Sequence, residues 1–185
     1  MSSLTPSQTI GPFFRVLVPE RGALVMATPE ALGTRITVTG KVLDGSGAGV
    51  PDALLEVWQA NAGGDWSHLD DSSGSIQAET FWGFGRISTD AEGRFTFETV
   101  KPGSVPGPDN EVQAPHLVVG VFARGLLTRL VTRIYFSDEA ANVEDPILRR
   151  VPVVRRPTLI AEHRDERYHL DIVLQGERET VFFDV

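Results

Sequence analysis

Short runs of alternating, often β-branched residues, each cut off by Gly, Pro, Asn or Asp, set the limits on how this chain folds. Arg35-Ile36-Thr37-Val38-Thr39-Gly40-Lys41-Val42-Leu43-Asp44 alternates and ends at Gly45-Ser46-Gly47. A period of two gives a strand one buried face. Val50-Pro51 opens a strand over residues 53–59, and strands over 86–89 and 94–100 flank Asp90-Ala91-Glu92-Gly93. That turn chemistry predicts a β-hairpin. Residues 116–123 and 130–136 are two further strands, and 168–174 and 180–183 close the chain. Helical signals are few. Ser137-Asp138-Glu139-Ala140-Ala141-Asn142 reads as a short helix capped by Ser137 with acids in its first turn, and residues 28–32 as one more turn. Frequent turns with little helix predict an all-β fold, an antiparallel β-sandwich or barrel.

The length of 185 residues suits one domain. We expect residues 1–34 to be an N-terminal arm and lead-in and 35–185 the sandwich core. Two long loops, 61–82 and 101–115, are rich in Gly, Ser, Asp and Pro, and loops of that length in a sandwich are commonly functional or interfacial. The arm, Thr5-Pro6-Ser7-Gln8-Thr9-Ile10-Gly11-Pro12-Phe13-Phe14, is held extended by its prolines. Such an arm either lies across a neighbouring chain or frays.

Composition narrows the chemistry. A net charge of −8 leaves no basic excess to neutralise phosphates, which argues against nucleic acid. With no cysteine, disulfides, thiolate nucleophiles and cysteine-ligated metals are excluded. Met1-Ser2-Ser3-Leu4-Thr5-Pro6 lacks the basic and apolar regions of a signal peptide, and no apolar stretch is long enough to span a bilayer; a cytoplasmic protein is the expectation.

The four histidines, His68, His116, His163 and His169, show neither H-x-H nor H-E-x-x-H spacing. His116, after Pro115, reads as a hydrogen-bonded core or loop histidine. His68 sits among Asp65, Asp70 and Asp71, where a solvated loop is favoured over a divalent-metal site. His163 reads as surface and His169 as structural. Asp65, Asp70 and Glu79 do not have spacing that favours a glycosidase pair. There is no G-x-S-x-G elbow or phosphate-binding loop, and Gly83-Phe84-Gly85-Arg86 reads as tight backbone turning. Arg124, in Phe122-Ala123-Arg124-Gly125 at a strand end, is either a clamp for a carboxylate or a solvated arginine.

Several motifs in combination carry a resemblance: the arm residues 5–13, Leu55-Glu56-Val57-Trp58-Gln59-Ala60, Val100-Lys101-Pro102-Gly103, Ala114-Pro115-His116, Phe122-Ala123-Arg124-Gly125, Thr132-Arg133-Ile134-Tyr135-Phe136 and Glu179-Thr180-Val181-Phe182-Phe183. On these residues the chain resembles the intradiol ring-cleavage dioxygenase family, and within it the alpha chains of two-chain members, from Thr5 to Val185. The resemblance implies a β-sandwich of the intradiol type and a homologous beta chain that holds non-haem Fe(III) through two tyrosines and two histidines. It implies O2-dependent cleavage of protocatechuate to 3-carboxy-cis,cis-muconate in aromatic-compound catabolism, the β-ketoadipate pathway, with activity only alongside the beta chain.

The resemblance places Trp66 and Val105 at the tyrosine positions and His116 and Val118 at the histidine positions. An indole donates one N–H and offers a metal no lone pair, and one imidazole does not hold a ferric ion. An arginine of the beta chain corresponds to Gln113, which removes a cation from this vestigial site. By the same resemblance Thr9, Gly11, Pro12, Phe13 and Arg124 line the substrate cavity opposite the partner's iron, Phe13 replacing a tyrosine. Two other classes stay open on the residues alone: a self-sufficient metalloenzyme built on His68, His116, His163 or His169 with carboxylates, and a non-enzymatic binding or structural sandwich.

Overall fold

The computed structural model describes residues 9–11, 24–66 and 80–184. Pro12, Phe13, His68, Asp70, Asp71 and Glu79 lie outside the described residues. Twelve strands are present among them: β1 (Leu24–Val25), β2 (Arg35–Leu43), β3 (Leu54–Trp58), β4 (Phe84–Ser88), β5 (Arg94–Val100), β6 (Val105–Pro106), β7 (Val112–Gln113), β8 (His116–Phe122), β9 (Leu130–Phe136), β10 (Ile160–Arg164), β11 (Arg167–His169) and β12 (Ile172–Val173). The all-β sandwich expected from the turn pattern is what forms. Its hydrogen-bonded path runs β1-β5-β2-β11-β10-β9-β8-β3-β4, with β12 beside β2 and β6-β7 a separate ribbon.

One strand belongs to both layers. Ile160 and Ala161 of β10 pair with Tyr135 and Phe136 of β9, whereas Glu162, His163 and Arg164 pair with β11. The sheet folds over at that strand, and its far ends nearly meet. Beyond β1, Met26 donates to the Glu98 carbonyl, and its own carbonyl accepts from Trp82 on the approach to β4. The layers therefore form a near-barrel. Inward positions alternate as period two demands: Val38 and Val42, Leu55 and Val57, Leu117, Val119 and Val121, and Ile134 and Phe136 fill one core. His116, Val118, Gly120 and Phe122 must then face outward on β8, opposite Tyr135, Arg133 and Val131 of β9.

Several local expectations need correction. Asp90 Oδ1 accepts from the Glu92 and Arg94 amides and closes the predicted turn, yet β4 pairs with β3 and β5 with β2 and β1. The turn crosses between layers and makes no hairpin, because turn chemistry fixes only the reversal and not the partner. Four pairings are parallel: β1–β5, β9–β10, β2–β11 and β2–β12. The strand expected over 168–174 is broken, since Asp171 Oδ1 accepts the Lys41 amide at 2.9 Å in place of a ladder carbonyl.

Residues 180–183 make single bonds, Thr180 N–H to the Val173 carbonyl and Phe183 N–H to that of Val131, without a ladder. After β9 the chain makes a 3₁₀ turn, Ala140–Val143, that Ser137 does not cap. Ser137 Oγ instead accepts the His163 amide, and Asp138 and Glu139 grip Lys101 Nζ at 2.9 and 2.6 Å. No described helix is long and apolar enough to cross a membrane.

Candidate functional site: an arginine corner and a buried histidine cluster

Two of the residues singled out from the sequence, His116 and Arg124, stand at opposite ends of β8. His116 begins the strand; Arg124 stands two residues beyond its end. At ~3.3 Å per residue the two are roughly 20–25 Å apart, too far for one small aromatic acid to touch both.

At the Arg124 end, Ala123 is buried and Leu126 donates to its carbonyl, which turns the chain sharply. Gly125 sits at φ +90°, a conformation that L side chains rarely adopt. The arm reaches this turn from the other end of the sequence. Thr9 Oγ1 accepts the Gly125 amide at 2.8 Å and donates to the Ala123 carbonyl at 3.5 Å. The two bonds bracket Arg124 and leave its side chain 55% exposed. Gly11 is exposed, with open space where a Cβ would project. The structure therefore brings Thr9 and Arg124 together and sets Gly11 on an open surface. Asp52, which the sequence reading passed over, lies 3.9 Å from Arg124. Its cue was position: it precedes β3 by the same two residues by which Arg124 follows β8.

The other place is dense and polar. His116 is 4% exposed, and its Nδ1 lies 2.7 Å from the Ala114 carbonyl. A carbonyl only accepts, so Nδ1 carries the proton and Nε2 the lone pair. Burial first, and the Arg133 charge second, lower its pKa to about 4. Its ring packs 5.6 Å from Tyr135, whose hydroxyl donates to Asp145 Oδ1 at 3.0 Å. Asp145 is fully buried and also accepts the amides of Ala114, Ile147 and Leu148 at 2.8, 2.9 and 2.6 Å. Arg133, directly across from Val118, donates to Gln113 Oε1 at 2.7 Å and to the Tyr135 hydroxyl at 3.3 Å. The cation that Gln113 was expected to remove is thus supplied by Arg133 from the next strand. Neither Arg133 nor Asp145 was marked from sequence as a site residue. The outward register of β9 held the cue for the first, and nothing local marked the second.

These donors do not fit ferric iron. Trp66 and Val105 offer no metal-binding lone pair, and Val118 none. Burial pushes the Tyr135 phenol well above its ordinary range, against phenolate formation, and Arg133 adds a like charge. Among the described residues no three His, Cys, Asp or Glu side chains converge as a metal cage. His163 is exposed and stacks on Tyr168 at 4.7 Å, and His169 bonds Thr39 and Asp171. Gly64, at φ +88°, lets the 61–66 loop press on the Ser104 carbonyl, 2.0 Å from an added Cβ. That contact sets the loop carrying Trp66 against the segment carrying Val105.

Comparison with known proteins gives the family. A family model described as "Dioxygenase" matches residues 10–176. The chain is 41% identical over 198 residues to the protocatechuate 3,4-dioxygenase alpha chain of Burkholderia cepacia, covering 98% of this chain and 97% of that one. It is 40% identical over 161 residues to the beta chain of the same organism, covering 82% of this chain and 68% of that one. Among solved structures it resembles the dioxygenase domain of a dioxygenase–carbohydrate-binding fusion from Streptomyces sp. SirexAA-E, with a TM-score of 0.62 and 25% identity over 97% of this chain and 100% of that one. Proteins of this family use ferric iron, and on the combined evidence of sequence and fold the chain belongs to the intradiol ring-cleavage dioxygenases.

Proposed function

We propose that this chain is the iron-free alpha half of a protocatechuate 3,4-dioxygenase, and that it completes a substrate cavity on a homologous beta chain holding Fe(III). The observation that carries the reading is the separation just described. The arginine suited to a carboxylate is bracketed at an exposed corner, while of the family's metal positions His116 and Val118 lie toward the far end of the same strand, and the other two are filled by Trp66 and Val105 on separate segments. An arginine so far from its own chain's vestigial centre is placed to serve another chain's, which supports this reading. The near-equal identity to an alpha and a beta chain supports a partner of the same fold.

In this reading Arg124 offers parallel N–H donors to the carboxylate of protocatechuate and fixes the ring's orientation. Thr9 holds the Arg124 turn, and Gly11, Pro12 and Phe13 wall the cavity. Held geometry of this kind contributes to rate without any group of this chain reacting. The overall reaction is cleavage of protocatechuate with O2 to 3-carboxy-cis,cis-muconate, a step of the β-ketoadipate pathway, in the cytoplasm. The test is expression with and without a candidate beta chain, followed by iron analysis and a ring-cleavage assay. Alone, the chain is expected to carry no stoichiometric iron and to leave protocatechuate intact; with the beta chain, both appear. Tight iron and turnover in the chain alone would overturn the proposal.

A further inference from the structure

The surroundings of Arg124 carry one step more. In the β3–β8 ladder Leu54 lies opposite Phe122 and Glu56 opposite Gly120. Past those ladder ends the turn before β3 and the turn after β8 meet, and Asp52 comes to 3.9 Å from Arg124. Asp52 is held there by its backbone. It sits at φ +61° in the turn before β3. Thr89, itself buried, braces that turn by donating to the Val50 carbonyl at 2.8 Å and accepting the Ala53 amide at 2.9 Å. The acid within that ladder, Glu56, is taken up by Arg86 at 2.8 Å and Arg129 at 3.8 Å. Asp52 is a carboxylate set against Arg124, at 3.9 Å with the two side chains 29% and 55% exposed.

What Asp52 contributes follows from what the corner already has. The Arg124 backbone is fixed by the two Thr9 bonds and by the Gly125 turn, so a loose ion pair adds little to position. Its contribution is charge. We infer that Asp52 is the internal counter-ion of Arg124, a carboxylate against which the carboxylate of an aromatic acid must compete, so that it sets how strongly this corner holds acid substrates. The inference rests on the reading of Arg124 given above. Opposite charges across a ladder attract, and two carboxylates around one guanidinium repel. Removing Asp52's charge therefore strengthens binding of the substrate acid. Exposure of both groups keeps the effect modest, about 2- to 5-fold.

Asn occupies the left-handed region as readily as Asp, so Asp52→Asn keeps the turn. In the assembled alpha–beta enzyme this variant is expected to lower KM for protocatechuate about 2- to 5-fold, with kcat unchanged. KM for catechol, which has no carboxylate, should stay as it was, and benzoate should inhibit more strongly by the same factor. An unchanged or raised KM for protocatechuate overturns the inference, as does an equal shift for catechol. In an Arg124→Ala background the effect of Asp52→Asn should vanish; its persistence would also count against the pair. Arg124→Ala alone separates the two readings. If it fails to distinguish protocatechuate from catechol, the role of Arg124 falls. If it distinguishes them while Asp52→Asn does nothing, only the counter-ion falls.

Discussion

The two ends of β8 solve opposite problems. At the His116 end, polar groups are buried and therefore bonded to one another: Asp145 accepts three amides and a phenol, Tyr135 joins Asp145 to Arg133, and Arg133 reaches Gln113. Such a network is worth a great deal when complete and costs heavily when any member is lost. At the Arg124 end the side chain is exposed, and among the described residues the strong constraints are on the backbone, from Thr9 and Gly125. A network closed on itself holds structure. A charged group on a fixed backbone, facing outward, is available to something else. In this chain the first arrangement surrounds His116 and the second stands at the surface.

If that contrast is right, damage to the first end is read as lost stability and damage to the second as lost substrate affinity. The largest effect is expected from Asp145→Ala, which strands three amides and a buried phenol. Urea unfolding should show a loss of roughly 3–5 kcal/mol; a loss under 1 kcal/mol would mean the cluster is not the anchor its bonds suggest.

Next comes acid sensitivity. The pKa of His116 is lowered to about 4 in the folded chain, below the ~6.5 of an unfolded histidine. Between those values the unfolded chain binds the extra proton, so stability falls as pH drops from about 6.5 to about 4, by about 1.4 kcal/mol per pH unit. Denaturant midpoints across that range should lose this component in His116→Leu. A wild-type slope no steeper than the variant's would contradict a buried neutral imidazole.

A smaller change is expected from Thr9→Val, which removes both arm bonds. Global stability should fall by about 1 kcal/mol or less, while KM for protocatechuate in the assembled enzyme rises. Unchanged KM would detach the arm from substrate binding. Smallest of all is the stability effect of Arg124→Ala, under ~0.5 kcal/mol because its ion pair is exposed. A large loss would move Arg124 into the structural class and erase the comparison.

The sequence made the framework legible where pattern and chemistry are local. β2, β3, β5, β8 and β9 stand within a residue or two of where alternation put them, because period two and turn residues act over a few positions. β10 was missed, since Glu162, His163 and Arg164 are all exposed and carry no alternation. The β4–β5 hairpin failed because pairing is decided by which layer buries Ile87 and which buries Phe95, and the turn does not encode that.

The site shows the same division. The strand-end position of Arg124 before a glycine was legible, and Trp66, Val105 and Val118 were singled out through the family resemblance. The Thr9 bonds to Ala123 and Gly125 span 114 and 116 residues. Asp145 meets Ala114 across 31. Contacts of that reach exist only once the layers have closed, so they leave no mark on the local sequence.

The account turns on Arg124 serving a cavity whose iron another chain holds, and one variant tests that directly. Arg124→Ala, assembled with the beta chain, should keep its full iron complement and lose a charge-assisted pair worth roughly 1.5–3 kcal/mol. That corresponds to a rise of about 10- to 150-fold in KM for protocatechuate, with KM for catechol nearly unchanged. Equal losses for both substrates, or loss of iron on assembly, would contradict it.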